Sequence, residues 1–340
     1  MFYKTKPDLP SGESLLALQV KNPLSTEILH KLNMTVSEFG RHDCTSRYHQ
    51  HRKRIDRQFC GRHRGWSVAM ACLLEASAFK PGNVSPWSDF EDLSYEELIA
   101  AGIAVAEVFD RAPSLSLGHM VLDAVTASRA VTRSNANLGI VLAVAPLAKV
   151  PDGTSLRVGV SLVLSSLTAS DASTLWVAIN KAKPGGLAKA SQMDLADPAP
   201  VSILDAMRAA ADRDQIASLW SRDYDELFSG PVADLCTEWH DEASLLDKIV
   251  LAYLKQLSRR QDTQILRRHG VSVAAEIMQH SRAVLAASKA QYNEKLLEMD
   301  RLLRTHHTRI NPGSTADLIA AALFFLLYER LLVLPQSDHP

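Results

Sequence analysis

The stretch "LLEASAFKPGNV" sets a glutamate and a lysine five residues apart, Glu75 and Lys80, beside a Pro-Gly turn. Read as a helix, "WSVAMACLLEASAF" puts Val68, Cys72, Glu75 and Phe79 on one stripe, so a carboxylate falls among core residues. A buried glutamate costs free energy unless it is paired or takes part in a reaction. Two readings stand: Lys80 is its ion-pair partner, or Glu75 is an acid-base group.

Three helical stretches end in the same dipeptide, at Pro81-Gly82, Pro184-Gly185 and Pro312-Gly313. Proline stops a helix, and glycine lets the backbone turn and approach a ligand closely. Lysines precede two of these turns, Lys80 and Lys183, and the flanking residues include Asn83 and Gly186. Oriented N–H groups beside a lysine form a phosphate cradle. Pro-Gly after a helix is also ordinary punctuation.

In "NPGSTADL", Ser314 or Thr315 can cap the following helix, whose N-terminal N–H groups attract an anion. Asp317 in the first turn either complements the helix dipole or holds a magnesium ion on a substrate's phosphates. In "SNANLGIVLAVAPLA", either Asn135 or Asn137 can act as N-cap, or their amides can meet a base or ribose.

Positioning such groups needs helices, and the pattern supplies them. Apolar residues recur three and four apart in 66–79, 94–110, 115–133, 137–149, 155–168, 171–182, 201–219, 241–258, 271–290, 291–305 and 315–332. No alternating strand pattern competes, so the fold class is all-α, a compact multi-helix bundle with long functional loops. The helical domain runs from 65 to 334. Residues 1–64 lack a periodic apolar face and are expected to be a poorly ordered extension. Its His42, Cys44, His49, His51, Cys60 and His63 fit no familiar zinc spacing.

With 37 basic and 38 acidic residues and 46% apolar content, the composition argues against a chain-wide grip on nucleic acid or membrane. Small-molecule substrates are expected; self-association into a homo-oligomer stays open. Four cysteines without paired spacing and no visible signal peptide suit a cytoplasmic protein.

Taken in order, "LLEASAFKPGNVSPWSDFEDLSYEELI", "SNANLGIVLAVAPLA", "AKPGGLAKASQMDLAD", "RRQDTQILRRHG" and "NPGSTADLIAAALF" resemble the triphosphoribosyl-dephospho-coenzyme A synthase family over roughly residues 66–332. The resemblance implies an all-helical transferase. It would use ATP and magnesium, displacing adenine from C1 of the ATP ribose and joining the triphosphoribosyl group to the ribose 2′-hydroxyl of 3′-dephospho-coenzyme A. Glu75 would then be the catalytic carboxylate. Lys80, Gly82, Asn83, Asn135, Asn137, Gly139, Lys183, Gly185, Gly186 and Thr315 would bind substrate, and Asp317, with Asp89 and Asp92 in reserve, would hold Mg2+.

Where citrate lyase-type synthases tend to carry Asn-Thr-His-Lys-Gly, this chain reads Asn135-Ala136-Asn137-Leu138-Gly139, which removes a histidine and a lysine. The alternatives are a related transferase acting on another cofactor precursor, for example in pterin-linked one-carbon metabolism, and a non-catalytic nucleotide-binding helical protein.

Overall fold

The computed structural model describes residues 63–182, 199–236, 244–305 and 309–332. Nearly all of the expected extension, and the loop with Lys183, Gly185 and Gly186, lie outside the described residues. Helices follow one another as α1 (Arg64–Ser77), α2 (Tyr95–Asp110), α3 (Leu117–Val131), α4 (Leu138–Ala148), α5 (Leu156–Ser165), α6 (Ala169–Ala182), α7 (Ile203–Ala210) and α8 (Gln215–Ser221). After α9 (Asp225–Leu227) comes a π turn (Phe228–Val232), then α10 (Ala233–Cys236), α11 (Leu245–Arg259), α12 (Thr263–Leu285), α13 (Tyr292–Thr305) and α14 (Gly313–Tyr328). Among the described residues there is no strand, only an isolated bridge between Ser85 and Ser88. None of these helices is by itself long and apolar enough to cross a membrane.

Most expected helices form near their expected bounds. The stretch 201–219 instead breaks in two, because Asp214 accepts the N–H groups of Ile216 and Ala217 and starts α8 afresh. Helix α12 begins eight residues earlier than its apolar period suggests and turns sharply at Gly270, whose φ of 86° suits glycine.

Helices α4 and α14 are apolar on every side and almost wholly buried, so the others wrap them. In α14, Ile319, Leu323 and Phe324 have no exposure, and burying each such side chain stabilises by roughly 1.5–3 kcal/mol. Pro146 inside α4 has no N–H for the Leu142 carbonyl, and Trp220 Nε1 donates to that oxygen at 3.0 Å instead. Tyr224 Oη donates to the neighbouring Ala143 carbonyl at 2.9 Å. Tyr224 reaches it from a left-handed backbone, φ 65°, that a tyrosine adopts only under constraint. Arg64 donates to the Ala148 and Val150 carbonyls, closing the far end of α4.

At the near end, one buried carboxylate joins two helix starts. Asp262 Oδ1 accepts the N–H groups of Gln264 and Ile265 as N-cap of α12, while Oδ2 accepts the N–H and hydroxyl of Thr315 in α14. Ser314 and Thr315 therefore do not cap their own helix as expected. The helix already begins at Gly313, and its cap comes from Asp262. Asp262→Ala leaves the buried Thr315 N–H unpaired and removes the α12 cap. It is expected to destabilise the fold by about 3 kcal/mol or more, read in urea as a lower midpoint at unchanged slope.

Candidate active site

A cleft with about 140 Å³ of enclosed room lies where the first turns of α4, α12 and α14 converge on the C-terminal end of α1. Each helix start brings N–H groups and the positive end of a dipole, so the floor suits anions. Glu75 reaches the cleft from α1, Asn83 and Phe90 from the loop after it, Asn135, Asn137 and Gly139 from α4 and the turn before it, and Asp317 from α14. Residues more than two hundred positions apart in sequence thus share one cavity.

Glu75 is held from below. Lys80, only 1% exposed, places Nζ 3.0 Å from Glu75 Oε1 and also donates to the carbonyls of Glu75 and Ala78. Both carboxylate and ammonium are buried, so the pair is held by geometry and by these added hydrogen bonds. Of the two readings open for Glu75, the ion pair is present, and it leaves the carboxylate on the cleft wall.

Asp317 has no such partner: among the described residues it makes no hydrogen bond or ion pair. Burial, reinforced by the negative charge of Glu75 and Asp262, pushes its carboxyl well above the usual carboxylate range. Gly139 makes the arrangement sterically feasible, because a Cβ at that position would fall on Asp317 Oδ2. The Cys72 thiol behind them is pushed far up by burial and by the charges of Glu75 and Asp317, so it stays protonated and inert.

The asparagines divide their work. Asn135 Oδ1 accepts the Leu138 N–H and serves the start of α4, whereas Asn137 is N-cap by position alone, with no capping bond from its side chain. Its Nδ2 is buried without a partner. Asn83 Nδ2 donates to Asn311 Oδ1 at 2.5 Å, and Asn83 Oδ1 is a buried acceptor without a donor. One orphan donor and one orphan acceptor on a single cleft wall are the groups a polar ligand satisfies.

Several expected site residues stand elsewhere. Lys80 does not line the cleft, because its ammonium is consumed beneath Glu75. Gly82 N–H donates to Asp300 Oδ1 and Asn83 N–H to the Lys80 carbonyl, so this turn offers neither amide to a phosphate. A side chain at Gly82 would meet the Ile310 carbonyl at 2.9 Å, and its φ is 79°; the glycine serves tight packing. Asp89 accepts the Tyr95 N–H and Asp92 pairs with Arg309 at 2.7 Å, both outside the lining, as is Thr315. Gln264 and Asn311 line the cleft although the sequence reading gave them no role. Their signal was present only as membership of the "RRQDTQILRRHG" and "NPGSTADL" stretches.

The sequence profile of the ATP:dephospho-CoA triphosphoribosyl transferase family matches residues 62–335. A solved structure from Archaeoglobus fulgidus, assigned as a triphosphoribosyl-dephospho-coA synthase, superposes with a TM-score of 0.54 at 20% identity. The match covers 68% of this chain and 98% of that one. At that identity the likeness speaks for the fold alone. No curated protein sequence matches the chain.

The raised Asp317 carboxyl has a stability consequence. Between the unfolded carboxylate pKa, about 3.9, and the higher folded value, the native state binds more protons than the unfolded chain, so stability falls as pH rises across that window. Asp317→Asn removes this loss. The ligand-free variant is expected to melt a few degrees above wild type near neutral pH, with the gap closing on acidification below the usual carboxylate range, measured by calorimetry across pH.

Proposed function

The chain belongs to the ATP:dephospho-CoA triphosphoribosyl transferase family, and from that premise we propose that the cleft transfers the triphosphoribosyl group of ATP to a hydroxyl acceptor, with 3′-dephospho-coenzyme A as the first candidate. The observation that carries this reading is the meeting of Glu75 and Asp317 on one cleft floored by three helix N-termini.

In such a transfer the acceptor oxygen bonds to C1 of the ribose, the C1–N bond breaks with its electron pair leaving on adenine, which takes up a proton from solvent, and the acceptor's proton must go to a base. Positive charge grows on the sugar as the bond breaks. A carboxylate on the wall stabilises that charge and takes the proton. Glu75 is the group for both tasks, and Lys80 is a positioning residue that fixes it in place. The orphan Asn83 Oδ1 and Asn137 Nδ2 offer an acceptor and a donor to the base or to ribose hydroxyls.

Magnesium fits this cleft. The described residues hold no cluster of three or more His, Cys, Asp or Glu that could bind a metal, but Mg2+ commonly uses one or two carboxylates and takes its other ligands from phosphate and water. Asp317, without a cation of its own, is the residue to hold it, beside Glu75. When bound, the ion neutralises phosphate charge. Lys183, Gly185 and Gly186 remain candidates for phosphate outside the described residues.

A second reading, a related transferase with a different acceptor, rests on the Asn-Ala-Asn-Leu-Gly turn. This turn presents a neutral, unpaired amide at Asn137 where a histidine and lysine would bring titratable and cationic groups. The two readings share the first chemical event and differ in what receives the sugar.

Adenine release from ATP with Mg2+, with and without 3′-dephospho-coenzyme A, tests both, with products identified by mass. Adenine formed only with that acceptor supports the first reading. Glu75→Gln is expected to lower the rate about 10²–10⁴-fold while ATP still binds. If adenine appears only with another hydroxyl acceptor, the second reading replaces the first; if none appears with any acceptor while ATP binds, the cleft is a non-catalytic nucleotide site.

A further inference from the structure

Three arginines gather at one side of the cleft mouth. Arg309 lies over Phe90, a cleft-lining ring, with its guanidinium carbon 3.7 Å from the ring centre. It pairs with Asp92, a 61% exposed carboxylate between the lining residues Phe90 and Leu93. Arg267 and Arg268 follow the lining residue Gln264 by one turn of α12, the spacing that keeps side chains on one face. Arg267 Nη1 donates to Asp214 and to the Arg213 carbonyl, yet its Nε is buried without an acceptor.

Arg268 is exposed and makes no hydrogen bond or ion pair among the described residues. Its neighbours in charge are Arg309 and Arg267, which lower its pKa after burial has done so first, and Asp92, which opposes them. Like charges kept this close without enough counter-charge cost free energy, and that cost is recovered when a multivalent anion binds. Guanidinium forks suit phosphate oxygens, which they bind in pairs of parallel hydrogen bonds. No residue lining the cleft is itself a lysine or arginine, so fixed positive charge for a ligand there comes from the rim, where Arg304 beside Phe90 is already paired with Asp300.

We propose that Arg268, Arg309 and Arg267 form the docking site for the terminal phosphates of a nucleoside polyphosphate whose sugar lies in the cleft, with Asp92 as a counter-ion that the phosphates displace. The idea rests on the transferase reading for the identity of the nucleotide, but the phosphate site itself is open to a separate test. Arg309 is already held over Phe90 and by Asp92, so little freedom is lost on binding. Arg268, unpaired, is the arm that closes on the anion. Arg267 lends its unpaired Nε.

The test is calorimetric titration of the full chain with inorganic tripolyphosphate in metal-free buffer, at low and moderate salt. Wild type is expected to bind, and more weakly as salt rises. Arg268→Gln and Arg309→Gln should each weaken binding roughly tenfold or more, whereas Asp92→Asn should tighten it severalfold. Arg222→Gln, which removes a pair with Glu226 elsewhere, should leave binding unchanged. The melting temperature of Arg268→Gln should be no lower than that of wild type, since no partner is lost and a like-charge contact is relieved. Failure of wild type to bind tripolyphosphate, equal binding by the arginine variants, or weaker binding by Asp92→Asn would each overturn the proposal. Adenine release together with any of those results would leave the transferase reading standing, and loss of tripolyphosphate binding in the variants without adenine release would keep this site and remove the transferase.

Discussion

Charge buried around one cleft constrains the whole architecture. Glu75 and Asp262 are buried, Asp317 is half-buried on the cleft wall, and one ammonium, Lys80, is buried with them. Each carboxylate meets this differently. Glu75 is matched by Lys80; Asp262 is met by three backbone N–H groups and a hydroxyl from two helices. Asp317, which the structure places beyond the first turn of α14 because that helix already starts at Gly313, gets only the room left by Gly139. A protein tolerates such an imbalance when a ligand completes it, because the residual cost is then returned as binding energy.

The scaffold is built to keep that imbalance in place. Helices α4 and α14, apolar all round, leave no solvated face on which to slide or rotate, and their starts form the cleft floor. The missing hydrogen bond at Pro146 is replaced by Trp220, and Arg64 closes the opposite end of the same helix. Asp262 then locks the start of α14 to the start of α12, so that Gln264 and Asp317 are fixed relative to each other by a shared carboxylate rather than by their own side chains. Pre-organisation of this kind matters for a reaction whose barrier depends on charge developing at one sugar carbon.

Much of this was legible in the chain. Period-3.6 runs gave the helices, and the spacing around Glu75 exposed a carboxylate on a core stripe. Asn135, Asn137 and Asp317 were marked by helix-start chemistry and Gly139 by the family resemblance, and all four line the cleft with Glu75. What failed was local inference about who partners whom. Thr315 looked like a cap from its own neighbours, yet the cap arrives from Asp262, fifty-three positions away. Lys80 looked equally suited to phosphate and to Glu75, and only the depth of the turn decides between them. The role of Gly82 is likewise set by Ile310 and Leu303, which approach from a distant segment. Gln264 and Asn311 carry no signature of their own, since a neutral amide in a turn is ordinary until another helix is laid beside it.

The distribution of charge also explains why the fixed cations and the acidic residues are kept apart. Arginines among the lining residues would pair with Glu75 and Asp317, quenching the carboxylate needed beside the sugar and filling the room left by Gly139. Placed at the mouth, Arg309 and Arg268 are distracted only by Asp92, an exposed residue whose hold is weakened by solvent. The interior then keeps its negative groups for the reacting carbon and the metal, and the mouth keeps its positive groups for phosphate. A ligand with a cationic transition state at one end and several negative charges at the other matches this polarity in a single orientation.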